Sequence, residues 1–298
     1  MPKKDDELKF LDSLEFKLTN SQIKNWEEIK KDLLGNKPMR RLLQGDVGSG
    51  KTIVAALSAL LAAKNKHQVA IMCPTEILAE QHFQNFSGWF DKFNLNVELL
   101  LGSTASKSRA NILKKLDNSE IDILIGTHSL FQKDIKFKNL GLTIIDEQHK
   151  FGVHQRFSLL DKGIEEDNES PHQLIMTATP IPRTLAMTVY GSLDTSVIDE
   201  LPPGRKPVST SSRPNSMRNK IINRVSEVCN EGQRAYWVCT LIEDSEELEA
   251  QAAEELYEDI SREIPKINIG LVHGKLNKKI KDSVIDSFRK GDIQLLIC

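Results

Sequence analysis

Residues 45–52 read Gly45-Asp46-Val47-Gly48-Ser49-Gly50-Lys51-Thr52, a glycine-rich run closed by a lysine and a hydroxyl residue. The spacing is GxxxxGK[ST], and its chemistry is the cradling of phosphates. Gly45, Gly48 and Gly50 let the backbone turn tightly, so that successive N–H groups point at phosphate oxygens. A helix starting here adds the partial positive charge of its N-terminus. Lys51 then reaches the β- and γ-phosphates of a nucleoside triphosphate, and Thr52 places its hydroxyl on Mg²⁺. Average residue usage yields such a pattern in roughly one chain in a hundred of this length. The strand before it and the helix after it weaken the chance reading further.

A second candidate lies about a hundred residues on. The apolar run Leu142-Thr143-Ile144-Ile145 ends in two adjacent carboxylates, Asp146 and Glu147. The C-terminal end of a buried parallel strand is where such sheets bind ligands. Side by side, the two charges repel each other unless a cation intervenes. Mg²⁺ on Asp146 relieves the repulsion and leaves Glu147 to polarise an attacking water. Alone, the pair reads equally as a solvated strand end; it gains weight by following a phosphate-binding loop.

These residues need a scaffold, and the hydrophobic pattern supplies one. Strand-like runs occupy 40–44, 69–73, 97–101, 121–125, 142–145 and 173–176, with helical stretches at 53–63 and 75–90. The second of these helices carries Ala79, Phe83, Phe86 and Phe90 on one face. Short apolar strands alternating with helices predict an α/β fold, a parallel sheet covered on both sides. At 200–207 three prolines and a glycine fall within eight residues, the best linker in the chain. The alternation then resumes with a helix at 217–229, strands at 235–239, 267–272 and 293–297, a helix at 278–288, and a Leu248, Ala252, Leu256, Ile260 stripe. The chain stops inside an apolar strand, so this lobe is expected to be truncated and the chain a fragment.

Composition bounds the function classes. At roughly 100–200 residues per domain, 298 residues predict two domains. An apolar fraction of 39% excludes disorder as the main state. The longest nearly apolar run, 53–63, falls far short of a membrane span, and no secretory signal opens the sequence. Cys73, Cys229, Cys239 and Cys298 show no CxxC spacing, so neither zinc nor a disulfide framework is expected, and reduced thiols point to the cytoplasm. A net charge of -2 neither advertises nucleic-acid binding nor excludes a local basic stripe.

Further motifs stand in order around these two. Leu18-Thr19 with Gln22 precedes the glycine-rich loop; Pro74-Thr75 and Gly126-Thr127-His128 follow strands; Asp146-Glu147-Gln148-His149 and Thr177-Ala178-Thr179-Pro180 come later. The ordered set resembles the superfamily 2 helicases and translocases. Within them, DEQHKFGVHQR at 146–156 resembles the RecG branch-migration family. TATPIPRTL at 177–185 fits RecG and the transcription-repair coupling translocases alike, whereas ELPPGR at 200–205 and AYWVC at 235–239 favour RecG. The resemblance runs over residues 8–298; Lys150 stands where some relatives carry arginine.

This resemblance implies two RecA-like P-loop NTPase lobes with parallel sheets: a lead-in at 1–18, an ATP-binding domain at 19–200, a linker at 201–208, and a partial second lobe at 209–298. It implies ATP and Mg²⁺, with Gln22 reading the adenine edge and Phe16 near the base, though Phe16 reads equally as core packing. Gly45 to Thr52 hold phosphate, Thr52 and Asp146 the metal, and Glu147 is the catalytic base beside Lys51. His149, Thr177 and Thr179 couple nucleotide to DNA. Pro74, Thr75, Gly126 and Thr127 grip the DNA backbone, where small and hydroxyl residues contact phosphate without reading bases. His273-Gly274 in the second lobe resembles a similar contact, or is a plain turn. The implied activity is ATP-dependent translocation on branched or duplex DNA: fork reversal and Holliday junction migration in recombination and repair, by a cytoplasmic monomer with no membrane partner. The family's arginine-bearing last motif and wedge domain are not identifiable, so ATP–Mg²⁺ binding with poor turnover is expected. Two alternatives stand beside this. One is the transcription-repair coupling translocase, against which Gln148 and His154-Gln155-Arg156 argue. The other is a non-catalytic, ATP-gated DNA-binding module.

Overall fold

The computed structural model describes residues 4–132, 134–147, 170–179, 193–200, 208–239 and 246–298. Residues 148–156 (His149 among them), 180–185 and the linker prolines at 201–207 lie outside the described residues. The chain divides into two compact units, Met1–Lys206 and Pro207–Cys298.

The first unit is built on a seven-stranded sheet. Its strands are β1 (Arg40–Gly45), β2 (Gln68–Met72), β3 (Val97–Leu100), β4 (Ile123–Gly126), β5 (Leu140–Asp146), β6 (His172–Thr177) and β7 (Asp194–Ile198). They lie in the order β3-β4-β2-β5-β6-β1-β7, every pairing parallel. Helices α1 (Lys4–Asp12), α2 (Asn20–Leu33), α3 (Lys51–Lys64), α4 (Glu76–Phe90) and α5 (Ser106–Asp117) connect and flank them. Every residue of β2 and β4 is buried. Such strands read as unbroken apolar runs because helices cover both faces.

The main core lies on the α3 and α4 side. From Ile53 to Leu61 every residue of α3 is buried, which is why this helix is apolar all round. Phe10, Phe86, Phe90 and Phe93 pack edge-on or tilted against one another at 5.6–6.5 Å between ring centroids. A smaller core of Leu100, Ile112, Leu116, Leu124, Phe137 and Ile145 fills the α5 side. The buried stripe of α4 is Ala79, His82, Phe86 and Phe90. Phe83, expected on that face, is only partly buried at its flank. No helix among the described residues is long and apolar enough to cross a membrane.

Register decides where the strands end. Gln44 pairs with Thr177, Asp146 with Met176, and Met72 with both Ile145 and Gly126. The C-terminal ends of β1, β6, β5, β2 and β4 therefore line one edge. At the opposite edge Gln68, 4% exposed, acts as a buried clasp. Its amide donates to the carbonyls of Leu116 (2.9 Å) and Ile121 (3.0 Å) and accepts from the backbone N–H of Lys138 (2.8 Å) and Asn139 (3.0 Å).

The second unit has a three-stranded parallel sheet, β8 (Ala235–Trp237), β9 (Ile269–Leu271) and β10 (Leu295–Ile297), in the order β8-β10-β9. Helices α6 (Arg218–Asn230), α7 (Glu246–Glu263) and α8 (Lys278–Lys290) accompany it. Ile222, Cys229, Leu256, Ile260, Leu295 and Ile297 form its core. Among the described side chains of α7, Ala253, Leu256 and Ile260 are buried, so Ala253 takes the place expected of Ala252, because a 3.6-residue period drifts from a strict spacing of four. Gly291 ends α8 in the left-handed conformation at φ 90°, a glycine stop.

Replacing Gln68 with leucine keeps the volume but removes four hydrogen bonds to buried and part-buried backbone groups. The loss is expected to be about 2–4 kcal/mol, read as a lower urea midpoint followed by the fluorescence of Trp26 and Trp89 in the first unit. A midpoint equal to the parent's would mean that the clasp contributes nothing.

Candidate active site

The loop leaving β1 is shaped by two left-handed glycines, Gly48 at φ 75° and Gly50 at φ 89°. Gly50 is also the N-cap of α3. A Cβ there would stand 2.1 Å from the side-chain nitrogen of Gln22, and a Cβ on Gly45 would stand 2.4 Å from the Ser49 hydroxyl. Gly50 therefore needs glycine for backbone freedom as well as for space, whereas at Gly45, whose φ is not left-handed, the constraint is space alone.

Gln22 clamps this loop from behind. It closes a capping box on α2: its N–H donates to Thr19 Oγ1 at 3.2 Å, and its Oε1 accepts from the Thr19 N–H at 2.9 Å. Its Nε2 donates to the Ser49 carbonyl at 2.8 Å. One further donor and one further acceptor site remain on the amide for the adenine contact expected of it. Ser21 anchors the same helix end to residues after β7: its N–H donates to Glu200 at 3.0 Å and its hydroxyl to Asp199 at 2.8 Å. That hydroxyl holds the Asp199 carboxyl below its usual range. Phe16 is 51% exposed, so it is not core packing and its ring is available to a ligand.

Lys51 is buried at the base of the loop, its Nζ donating to the carbonyls of Gly45 (2.6 Å) and Asp46 (3.1 Å). Burial pushes its pKa below the ordinary lysine value, and the carboxylates of Glu147, Asp146 and Asp46 partly offset this. The lysine thus lies within electrostatic reach of both strand-end acids. Thr52 is half-buried in the first turn of α3. Asp46 accepts from the Val47 N–H at 2.7 Å, and Val47 itself is exposed. Ser49 is buried, with no hydrogen-bond partner for its hydroxyl among the described residues.

At the end of β5, Asp146 is 9% exposed, and its Oδ2 lies 2.9 Å from His82 Nε2. Burial, then the Asp146 charge, drives the Cys73 thiol well above its usual pKa, which makes it inert as a nucleophile. Glu147 adopts a left-handed backbone at φ 49°, uncommon for a residue with a Cβ. Its N–H donates to the Met176 carbonyl at 2.9 Å. One carboxylate oxygen accepts from the Ala178 N–H at 3.1 Å, and the other faces the Thr177 hydroxyl at 3.5 Å. Thr177 Oγ1 in turn accepts from the Thr179 N–H at 3.1 Å. The expected base is thereby joined to Thr177, and Thr177 to Thr179, two of the three expected coupling residues.

The remaining candidates follow neighbouring strands along the same edge. Thr75 caps α4 by accepting from the Leu78 N–H at 3.4 Å, and Pro74 precedes it half-buried. Gly126 leaves no room for a side chain: a Cβ would stand 2.3 Å from the Leu100 carbonyl. Thr127 is 2% exposed, its hydroxyl unpartnered among the described residues. In the second unit, His273 Nε2 lies 3.5 Å from Glu254, and the Gly274 carbonyl accepts from Lys281 at 2.6 Å. His82 was not singled out from the sequence, although it stands three residues after Ala79 and four before Phe86, a core spacing that flags a buried polar group.

The donors present suit a polyphosphate carrying a hard cation. The loop presents left-handed turns, a helix start and a buried lysine. Among the described residues no group of three or more His, Cys, Asp or Glu could cage a metal. A single carboxylate and a hydroxyl match the way Mg²⁺ is shared with substrate phosphates.

Residues 19–188 match the DEAD/DEAH box helicase family. The ATP-dependent DNA helicase RecG of Haemophilus influenzae is 53% identical over 290 residues, covering 97% of this chain and 42% of that protein. RecG of Thermotoga maritima is 47% identical over 289 residues, covering 97% of this chain and 36% of that protein. The chain thus spans about two fifths of the length of these relatives. A solved structure of RecG bound to a three-way DNA junction superposes with a TM-score of 0.79 at 41% identity, over 100% of this chain and 38% of that one.

Gly50→Ala combines a disfavoured φ with a collision at Gln22. It is expected to weaken nucleoside triphosphate binding at least about tenfold, a loss of 1.4 kcal/mol or more, measured calorimetrically with a nonhydrolysable analogue. Parental affinity would show that the loop conformation is not what binds.

Proposed function

We propose, from the premise that this chain belongs to the DEAD/DEAH box helicase family, that it is the ATP-driven motor core of a RecG-type DNA helicase acting on branched DNA. One observation carries the reading. A phosphate-cradling loop, a buried lysine and two strand-end carboxylates meet at one sheet edge, and Lys51 feels both acids. The likeness to RecG along nearly the whole chain supports the choice of substrate.

In this reading residues 19–200 form the ATP-binding domain and 209–298 part of the second lobe, joined by 201–208. Lys51 exchanges its two backbone carbonyls for β- and γ-phosphate oxygens, and the amides of Gly45 to Thr52 take the rest of the anionic tail. Thr52 and Asp146 would hold Mg²⁺, which when bound neutralises phosphate charge. Glu147 accepts the proton of the attacking water at a carboxylate oxygen, held in place by the Ala178 N–H. Gln22 reads the base, with Phe16 against it.

The Thr177 hydroxyl faces the same carboxylate, so a change at Glu147 is felt in the segment that begins at Thr177. Through Thr177, Thr179 and His149 that change reaches the DNA. Pro74, Thr75, Gly126 and Thr127 contact phosphates, a grip that carries no base information; His273 and Gly274 add a contact from the second lobe. The physiological work proposed is reversal of stalled forks and migration of Holliday junctions in recombination and repair, by a monomer.

Glu147→Gln keeps the shape and removes the base. Hydrolysis in the presence of three-way junction DNA is expected to fall about 10²–10⁴-fold, with binding of the nonhydrolysable analogue retained. Phosphate release at the parental rate would refute the assignment of Glu147 and the enzyme reading with it.

A further inference from the structure

We infer that His82 is a positioning residue: it fixes the Asp146 carboxylate and ties it to α4, so that Mg²⁺–nucleotide affinity depends on what contacts the start of that helix. The inference rests on the reading of Asp146 as the metal-holding acid and of Thr75 as a DNA contact.

The geometry has three parts. His82 Nε2 lies 2.9 Å from Asp146 Oδ2, with side-chain exposures of 7% and 13%. A carboxylate can only accept, so the ring nitrogen donates and one carboxylate oxygen is taken up, which leaves Oδ1 for a cation. The imidazole's other nitrogen, Nδ1, is buried and has no partner among the described residues. The Asp146 contact is therefore the ring's one polar attachment among those residues. The ring is otherwise held by packing, edge-on to Phe86 at 6.0 Å and 74°. Phe86 belongs to the aromatic cluster of the main core.

The helix supplies the connection. Thr75 caps α4, and His82 follows seven residues later, two turns or about 10 Å along a rigid rod. Glu76, in the first turn, accepts from the N–H and hydroxyl of Ser103 at 3.3 and 2.9 Å, which ties the helix start to the loop after β3. A displacement at Thr75 is carried along the axis to His82 and so to Asp146. This route is separate from the Thr177–Glu147 contact. Partners that orient a ligating carboxylate commonly change metal affinity about 10–100-fold when removed.

The test uses the full chain and equilibrium binding. A fluorescent nonhydrolysable ATP analogue is titrated with and without Mg²⁺, and with and without a saturating duplex oligonucleotide. His82→Met fills the space without a donor; His82→Gln keeps a donor of similar reach. In the Met variant we expect unchanged metal-free affinity, an at least tenfold loss of Mg²⁺-dependent affinity, and a DNA-induced tightening that falls towards onefold. The Gln variant should recover most of both. Parental Mg²⁺ dependence and parental DNA coupling in folded His82→Met would overturn the inference, whatever happens to the melting temperature. Should the Met variant fail to fold, His82→Asn, polar but too short to reach Asp146, decides by the same two readouts. A parent chain that shows no Mg²⁺-dependent binding would instead sink the functional reading, and this inference with it.

Discussion

A lysine ammonium held out of water is unstable unless something answers its charge. In this protein that constraint organises the first unit. Lys51 lies at the foot of the glycine-rich loop, bonded to two carbonyls at the end of β1, with Asp146 and Glu147 close enough to restore part of what burial removes. The carbonyls accept but carry no net charge, and the two acids are adjacent like charges. Such an arrangement is completed by an anion that takes the lysine and a cation that takes the acids. A nucleoside triphosphate with Mg²⁺ brings both.

The rest of the fold fixes the distances on which this balance depends. Parallel pairing brings β1, β6 and β5 to their ends within a residue of one another, so Gly45, Thr177 and Asp146 cannot drift apart without breaking the sheet. Helix α3 is buried nearly all round, which pins its N-terminus, and with it the loop. Gln22 holds the back of the loop while its backbone and Oε1 close the cap of α2. A site assembled from rigid elements in this way needs little reorganisation on binding.

Much of this is legible in the sequence, for physical reasons. Parallel strands buried on both faces leave apolar runs that are easily seen, and a loop that must adopt φ > 0 leaves glycines. The central strands and the phosphate loop follow directly. Helix α5 buries only Ile112 and Leu116, too sparse an apolar face to stand out in the hydrophobic pattern. The α2 capping box is not evident from the sequence, where Thr19 and Gln22 stand only as part of an expected nucleotide motif. His82 hid behind Phe83: on a helix whose core stripe passes between positions three and four, the aromatic neighbour reads as the buried one. Glu147's left-handed backbone has no sequence mark at all, because it is imposed by the bonds of its N–H to Met176 and its carboxylate to Ala178.

The chemistry attributed to this edge rests on Lys51 exchanging backbone carbonyls for phosphate oxygens. The most direct measurement is calorimetric titration of the folded chain with a nonhydrolysable ATP analogue and Mg²⁺, set beside the same titration of Lys51→Ala. Saturable one-to-one heat in the parent, lost in the alanine variant, is the predicted result. No heat from the parent at millimolar analogue, or undiminished binding without the lysine, would contradict the account.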